Sequence, residues 1–152
     1  MKQILEILKG RVVVAGVGVV GRGDDGFGPM LAQRLKHLPN LCALDCGDRL
    51  EDYTGDIVRE HPDTVLIADA VDLGAEPGRV AILAPESLMD FAGDTHRASL
   101  EAVMSYLRQR TGASIFLLGM QPAVIANQPG LSPAASAAVE ALENFFRSRS
   151  NP

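Results

Sequence analysis

The sequence predicts a three-layer α/β/α fold around a mostly parallel sheet, on three observations. Short apolar runs rich in β-branched residues recur at 11–16, 64–69 and 114–119. Stretches with helical apolar spacing lie between such runs, and the runs end at glycines or turn residues. With 152 residues and no linker, repeat or low-complexity tract, the chain is expected to form a single domain over 1–152, with a twisted sheet of about five strands.

The elements follow in order. The first ten residues are a short amphipathic stretch, with Ile4, Leu5, Ile7 and Leu8 among Lys2, Glu6 and Lys9. Residues 11–16 read as a strand buried on both faces. Residues 27–38 carry Met30, Leu31, Leu35 and Leu38 at helical spacing, with Pro29 tolerated in the first turn and Pro39-Asn40 as a stop. Residues 41–46 form a second strand, and 48–60 mix turn residues with a short helical pattern. Residues 64–69 are the most apolar strand, and 79–83 a short one after the turn at 74–78. A helix over 99–110 places Leu100, Val103, Met104 and Leu107 on one stripe. Residues 114–119 are another buried strand. Ser132 and Pro133 open the last helix as N-cap and first-turn proline, and Val139, Leu142 and Phe146 mark its buried side.

Composition narrows the function. The chain is 47% hydrophobic and 22% charged, as in an ordinary globular protein. Its formal net charge of −5, with no cluster of Lys and Arg, disfavours a nucleic-acid surface. No stretch has membrane-spanning length or the pattern of a secretory signal, so a cytoplasmic, non-membrane protein is expected. Cys42 and Cys46 fall on one face of a strand, too far apart along it to pair. They read as reduced core residues.

The first loop invites a nucleotide reading. Residues 16–21 match G-x-G-x-x-G after a strand, and Asp45 ends the second strand, near where a ribose-binding acid would stand. Arg22, Gly23, Asp24, Asp25 and Gly26, however, separate the last glycine from the helix. Two carboxylates there would repel the phosphate that a helix N-terminus attracts. The same loop can instead present a carboxylate at the carboxyl end of a strand, where open α/β sheets bind ligands. One of the two acids suffices as a helix cap, which leaves the other, taken as Asp25, for chemistry.

Asp69 closes the most apolar strand, where a carboxylate is costly unless it is paired or functional. Asp72 reads as a turn acid. His96 lies in a polar, turn-like stretch before a helix, within reach of a site. His37 near a helix end and His61 before Pro62 need no function. Converging, Asp25, Asp69 and His96 would supply two oxygens and one nitrogen to a divalent cation such as zinc, nickel or manganese, with positions left open.

Taken together, the segments 16–18, 23–29, 68–74, 77–78, 95–96 and 119–122 resemble the hydrogenase maturation endopeptidases in order and approximate spacing. D-D-G-x-G-P at 24–29 and D-A-x-D-x-G at 69–74 are the specific part. G-M-Q-P at 119–122 resembles the branch that serves formate-hydrogenlyase-type hydrogenases. The resemblance implies a sheet sandwiched by helices and an enzyme that removes a C-terminal extension from a nickel–iron hydrogenase large-subunit precursor. The family's metal-contacting acids and histidine fall on Asp25, Asp69 and His96. The nickel is implied to arrive with the precursor; zinc or another divalent ion could take the same ligands in the isolated protein. Val19 stands where the family carries an asparagine, and Arg22 where it tends to be apolar. Those departures motivate a rival expectation, a non-catalytic chaperone that binds metal and precursor. On the first reading, either the metal activates water or a carboxylate does the proton work.

Overall fold

The computed structural model describes residues 1–90 and 95–150, with the backbone alone at 89, 90 and 95–98. Its elements run α1 (Lys2–Ile7), β1 (Val12–Gly16), α2 (Phe27–Leu35), β2 (Leu41–Asp45), α3 (Thr54–Arg59), β3 (Thr64–Ala70), β4 (Val80–Leu83), α4 (Thr95–Thr111), β5 (Ser114–Met120) and α5 (Pro133–Ser150). Short 3₁₀ turns occupy Gly23–Gly26, Leu50–Tyr53 and Pro85–Asp90. Among the described residues no helix is long and apolar enough to cross a membrane.

The sheet has five strands in the order β2-β1-β3-β5-β4. All neighbours are parallel except β4, which pairs antiparallel with β5. The reason for two flanking layers is visible along single strands. Val14, Leu66, Ala68, Leu118 and Met120 pack with α1, α2 and α5 through Ile4, Phe27, Leu31, Leu35, Leu142 and Phe146. Their neighbours Val13, Ala15, Val65, Ile67, Ile115 and Leu117 pack on the opposite face with Ile57, Leu88, Met104 and Leu107. Successive side chains leave a strand on opposite sides, so strands covered on both faces must be apolar throughout. Every residue of β1 is buried, as expected of such a run.

Two expectations need correction. The helix expected over 99–110 begins earlier, at Thr95. The chain from 95 to 111 holds no glycine or proline, so nothing in the backbone stops the helix from starting there. His96 therefore stands in the first turn of α4 and not in a loop ahead of it. The helix expected to reach Leu38 ends at Leu35, with Leu38 in a turn that bonds back to it.

Strand order locates the crevice. The chain leaves β1 for β2 on one side, while β3 lies on the other. The carboxyl ends of β1 and β3 thus flank a switch point of the kind where open α/β sheets hold ligands. The loop at 17–26 and the loop at 71–79 both leave from this edge.

Candidate active site

The first loop is held closed by its own backbone. The amides of Val17, Gly18, Arg22, Gly23, Asp24 and Asp25 donate to the carbonyls of Ala68, Gly47, Val19, Gln128, Val124 and Arg22, respectively. The Val19 amide donates to Oδ2 of Asp25 at 2.8 Å. Few N–H groups remain to cradle a phosphate. Asp45 is committed as well, accepting from the Gly47 amide at 3.1 Å and from Gln33 Nε2 at 3.3 Å. The first two glycines of the G-x-G-x-x-G match thus serve backbone packing. At Gly18, with φ of +141°, an added Cβ would collide with the carbonyl of Asp25; at Gly28 it would collide with the carbonyls of Val17 and Ala68.

Asp24 and Asp25 divide their roles, though neither caps α2, whose N-cap position, Gly26, makes no side-chain bond. Asp24 is fully buried. Its Oδ2 accepts from the amides of Ala123 at 2.8 Å and Val124 at 3.4 Å and from Ser132 Oγ at 2.8 Å, and its Oδ1 from the Ser132 amide at 2.7 Å. Burial alone would push this carboxyl up, but the hydrogen bonds from Ser132, Ala123 and Val124 outweigh it and hold the pKa below the usual carboxylate range. Ser132 also caps α5, accepting from the Ala135 amide at 3.2 Å. Asp24 therefore ties the first loop to the segment after β5 and to the start of α5.

Asp25 is half-buried at the mouth of the loop. The Val19 amide fixes Oδ2, and Oδ1 accepts no hydrogen bond among the described residues. Because position 19 acts here through its backbone, this bond does not depend on which side chain stands there.

Asp69 is half-buried one residue from the end of β3, paired in register with Gly119. Its place in the strand's alternation is that of Val65 and Ile67, the face covered by α3 and α4. The two acids leave adjoining strands at one edge. They are linked through the Val17 bond to Ala68 and the close seat of Gly28 on Ala68.

His96 is the third residue of the expected set, and its side chain lies outside the described residues. Its backbone position follows from lengths. The 17 residues of α4 span about 25 Å, and β5 climbs back from Ser114 over about 20 Å. The first turn of α4 accordingly returns to the edge that carries Asp69. Among the described residues no three His, Cys, Asp or Glu side chains are close enough to share a metal. Two carboxylates, one of them with an oxygen that accepts no hydrogen bond among the described residues, are donors of a kind that suits a divalent cation, and an imidazole would complete the set.

The cysteines, Asp72 and His61, which the sequence left without a catalytic role, take structural places. Burial pushes the Cys46 thiol up to about 12, with Asp45 adding to the rise, and burial also raises Cys42. Neither is a thiolate nucleophile near neutrality. Asp72 closes a turn on the Gly74 amide at 3.0 Å, and His61 is a turn residue at φ of +50°. Residue-level reading missed Gln121. Its Oε1 accepts from the amides of Leu73 at 2.5 Å and Ala75 at 3.3 Å, bracing the loop that follows Asp69. Its only signal in the sequence is its place in the G-M-Q-P segment.

Residues 28–147 match the sequence model of a family described as hydrogenase maturation protease. That span begins just past Asp25 and contains Asp69 and His96. The chain is 34% identical over 116 residues to the hydrogenase 3 maturation protease of Escherichia coli strain K12, covering 74% of each. It is similar to the crystal structure of the NiFe hydrogenase maturation protease HycI from Thermococcus kodakarensis KOD1, with TM-score 0.90, 33% identity and 99% of each chain covered. The hydrogenase maturating endopeptidase HybD of E. coli matches with TM-score 0.74 and 27% identity over 91% of each chain.

Proposed function

The chain belongs to the hydrogenase maturation protease family, and we propose that Asp25, Asp69 and His96 are the residues with which it works. It is a peptide hydrolase that processes the precursor of a hydrogenase large subunit. The reaction proposed is removal of a C-terminal extension after nickel has entered the precursor, in the cytoplasm.

On this reading nickel is part of the substrate. Asp25 offers Oδ1 to it while the Val19 amide holds the carboxylate's other oxygen still. Asp69 offers a second carboxylate from the end of β3, and His96 an imidazole from the first turn of α4. A divalent cation held there supplies a Lewis acid beside the scissile carbonyl. The protein's own part is to hold the precursor's metal at a fixed place, so that the peptide bond next to it lies over the crevice. A carboxylate not fully used in binding can take the proton of the attacking water. The observation that carries the reading is that the first loop, which bears Asp25, lies against the end of β3, which bears Asp69, at the sheet's switch point; among the described residues no ion pair consumes Asp25.

The test is to incubate nickel-loaded and nickel-free precursor with the protein and with Asp25→Asn and Asp69→Asn. Cleavage of the loaded precursor alone is expected, with a loss of at least about a hundredfold in each variant. Cleavage that ignores nickel, or that survives either substitution, would defeat the assignment. Binding without product by the unaltered chain would favour an assembly chaperone instead.

A further inference from the structure

The loop at 71–79 contains no helix or strand of its own, yet it leaves directly from β3, which carries Asp69 one residue before its end. Among the described residues its hydrogen bonds to other segments go to Gln121, apart from the Val71 amide, which donates to the Met120 carbonyl. Besides the two amides that converge on its Oε1, Gln121 donates its own amide to the Arg79 carbonyl at 2.8 Å and accepts from the Gly78 amide at 2.8 Å. Its Nε2 donates to the Pro122 carbonyl at 3.3 Å, which orients the side-chain amide. Leu73, Ala75, Gly78 and Arg79 are therefore all fixed by a single half-buried glutamine more than forty residues away in sequence.

The residues that follow Gln121 hold the other acid's turn. Ala123 and Val124 donate to Asp24, next to Asp25, and the Val124 and Gln128 carbonyls accept from the amides of Asp24 and Gly23. One short segment after β5 thus grips both loops. A local turn would satisfy the Leu73 and Ala75 amides without a distant side chain, so the chosen partner sets where the loop sits relative to that segment.

We propose that Gln121 is a positioning residue, which holds the end of β3 and its loop on the segment that also holds the Asp25 turn, and so keeps Asp69 in register with Asp25. The proposal rests on the assignment of Asp25 and Asp69 made above. Slackening the loop frees the last register pairs of β3, Asp69 with Gly119 and Ala70 with Met120. The carboxylate then samples positions too far from its partner for joint contact with one cation.

The experiment compares Gln121→Met, which keeps the shape and removes the acceptor, with Gln121→Glu, which keeps an oxygen at the same reach. Cleavage of nickel-loaded precursor is measured as kcat and KM, alongside the thermal midpoint and amide exchange at Leu73 and Ala75. Gln121→Met is expected to lower kcat about tenfold with KM held within about twofold. Its Leu73 and Ala75 amides should exchange faster, with the midpoint little changed. Gln121→Glu should restore both kcat and protection. A wild-type kcat in Gln121→Met, or a Gln121→Glu variant no better than Gln121→Met, would overturn the proposal. Should Gln121→Met not fold, Gln121→Asn, one methylene short of the loop, gives the same comparison. Asp69→Asn separates the two readings. If it is inactive while Gln121→Met is fully active, only the positioning role falls; if it is active, the site assignment falls and Gln121 has nothing to position.

Discussion

Asp24 and Asp25 are neighbours in sequence with opposite surroundings, and the difference lies in which hydrogen bonds each carboxylate receives. Asp24 spends both oxygens on Ala123, Val124 and Ser132 inside the protein. Its lowered pKa means that the folded state favours the ionised form. The sign follows: the stability it contributes is present above the unfolded carboxyl's value, near about 4, and is lost as pH falls through that value toward the lower folded one. Urea midpoints of the protein and of Asp24→Asn should lie apart at neutral pH and converge below about pH 4. Parallel profiles would show that the ionised carboxylate contributes nothing. Cys46 gives a second residue-scale expectation. With its thiol pushed up to about 12 and its side chain buried, Cys46→Ala should cleave precursor at the unaltered rate. Loss of cleavage in a folded Cys46→Ala protein would reopen the question of a cysteine nucleophile.

At the scale of elements, the seat of α2 on the sheet governs the site. Gly28 in its first turn lies against the carbonyls of Val17 and Ala68, and Gly16 lies against Gly28 in return. No side chain fits between them. This contact brings the 3₁₀ turn that carries Asp25 down to the carboxyl ends of β1 and β3. Gly28→Ala must lift the helix, and overpacking of that kind costs about 1–3 kcal/mol. The expected result is a lowered denaturation midpoint together with reduced cleavage, because the helix and the Asp25 turn move as one. An unchanged midpoint would mean that the helix has room the contacts deny it. The same reasoning accounts for two glycines of the G-x-G-x-x-G match: Gly16 and Gly18 are required by close backbone approach, whereas Gly21 is open on its Cα side and stands at φ of +97°.

Across the whole molecule, one sheet serves as the inner wall of both hydrophobic layers. Val13 and Val14 are adjacent residues that belong to opposite layers, so neither layer can come apart without exposing the back of the other. Unfolding is therefore expected to be one transition. A probe on the α2–α5 side at Tyr substituted for Phe146 and the native Tyr53 on the α3 side should report the same denaturant midpoint. Separated midpoints would refute the single-domain expectation. The edges of the sheet are β2 and β4, and the proposed site lies away from them, at the carboxyl ends of the inner strands β1 and β3, each paired on both sides.

Much of this was legible without coordinates. The apolar runs of β1, β3 and β5 and the helical stripes of α2, α4 and α5 have periods that only those elements satisfy, so class, element order and the mostly parallel sheet follow from local chemistry. Asp25 and Asp69 stood out because an acid at the end of an apolar strand, or in a glycine turn, needs a reason. What the chain order could not supply were the partners. That Asp24 is the buried clamp, that the Val19 amide fixes Asp25, and that Gln121 braces the loop beyond Asp69 depend on contacts between residues far apart in sequence. Hydrophobic periodicity reports how each segment meets the core. It carries no information on which distant amide a carboxylate or carboxamide will meet, because strand order and the seating of the loops decide that.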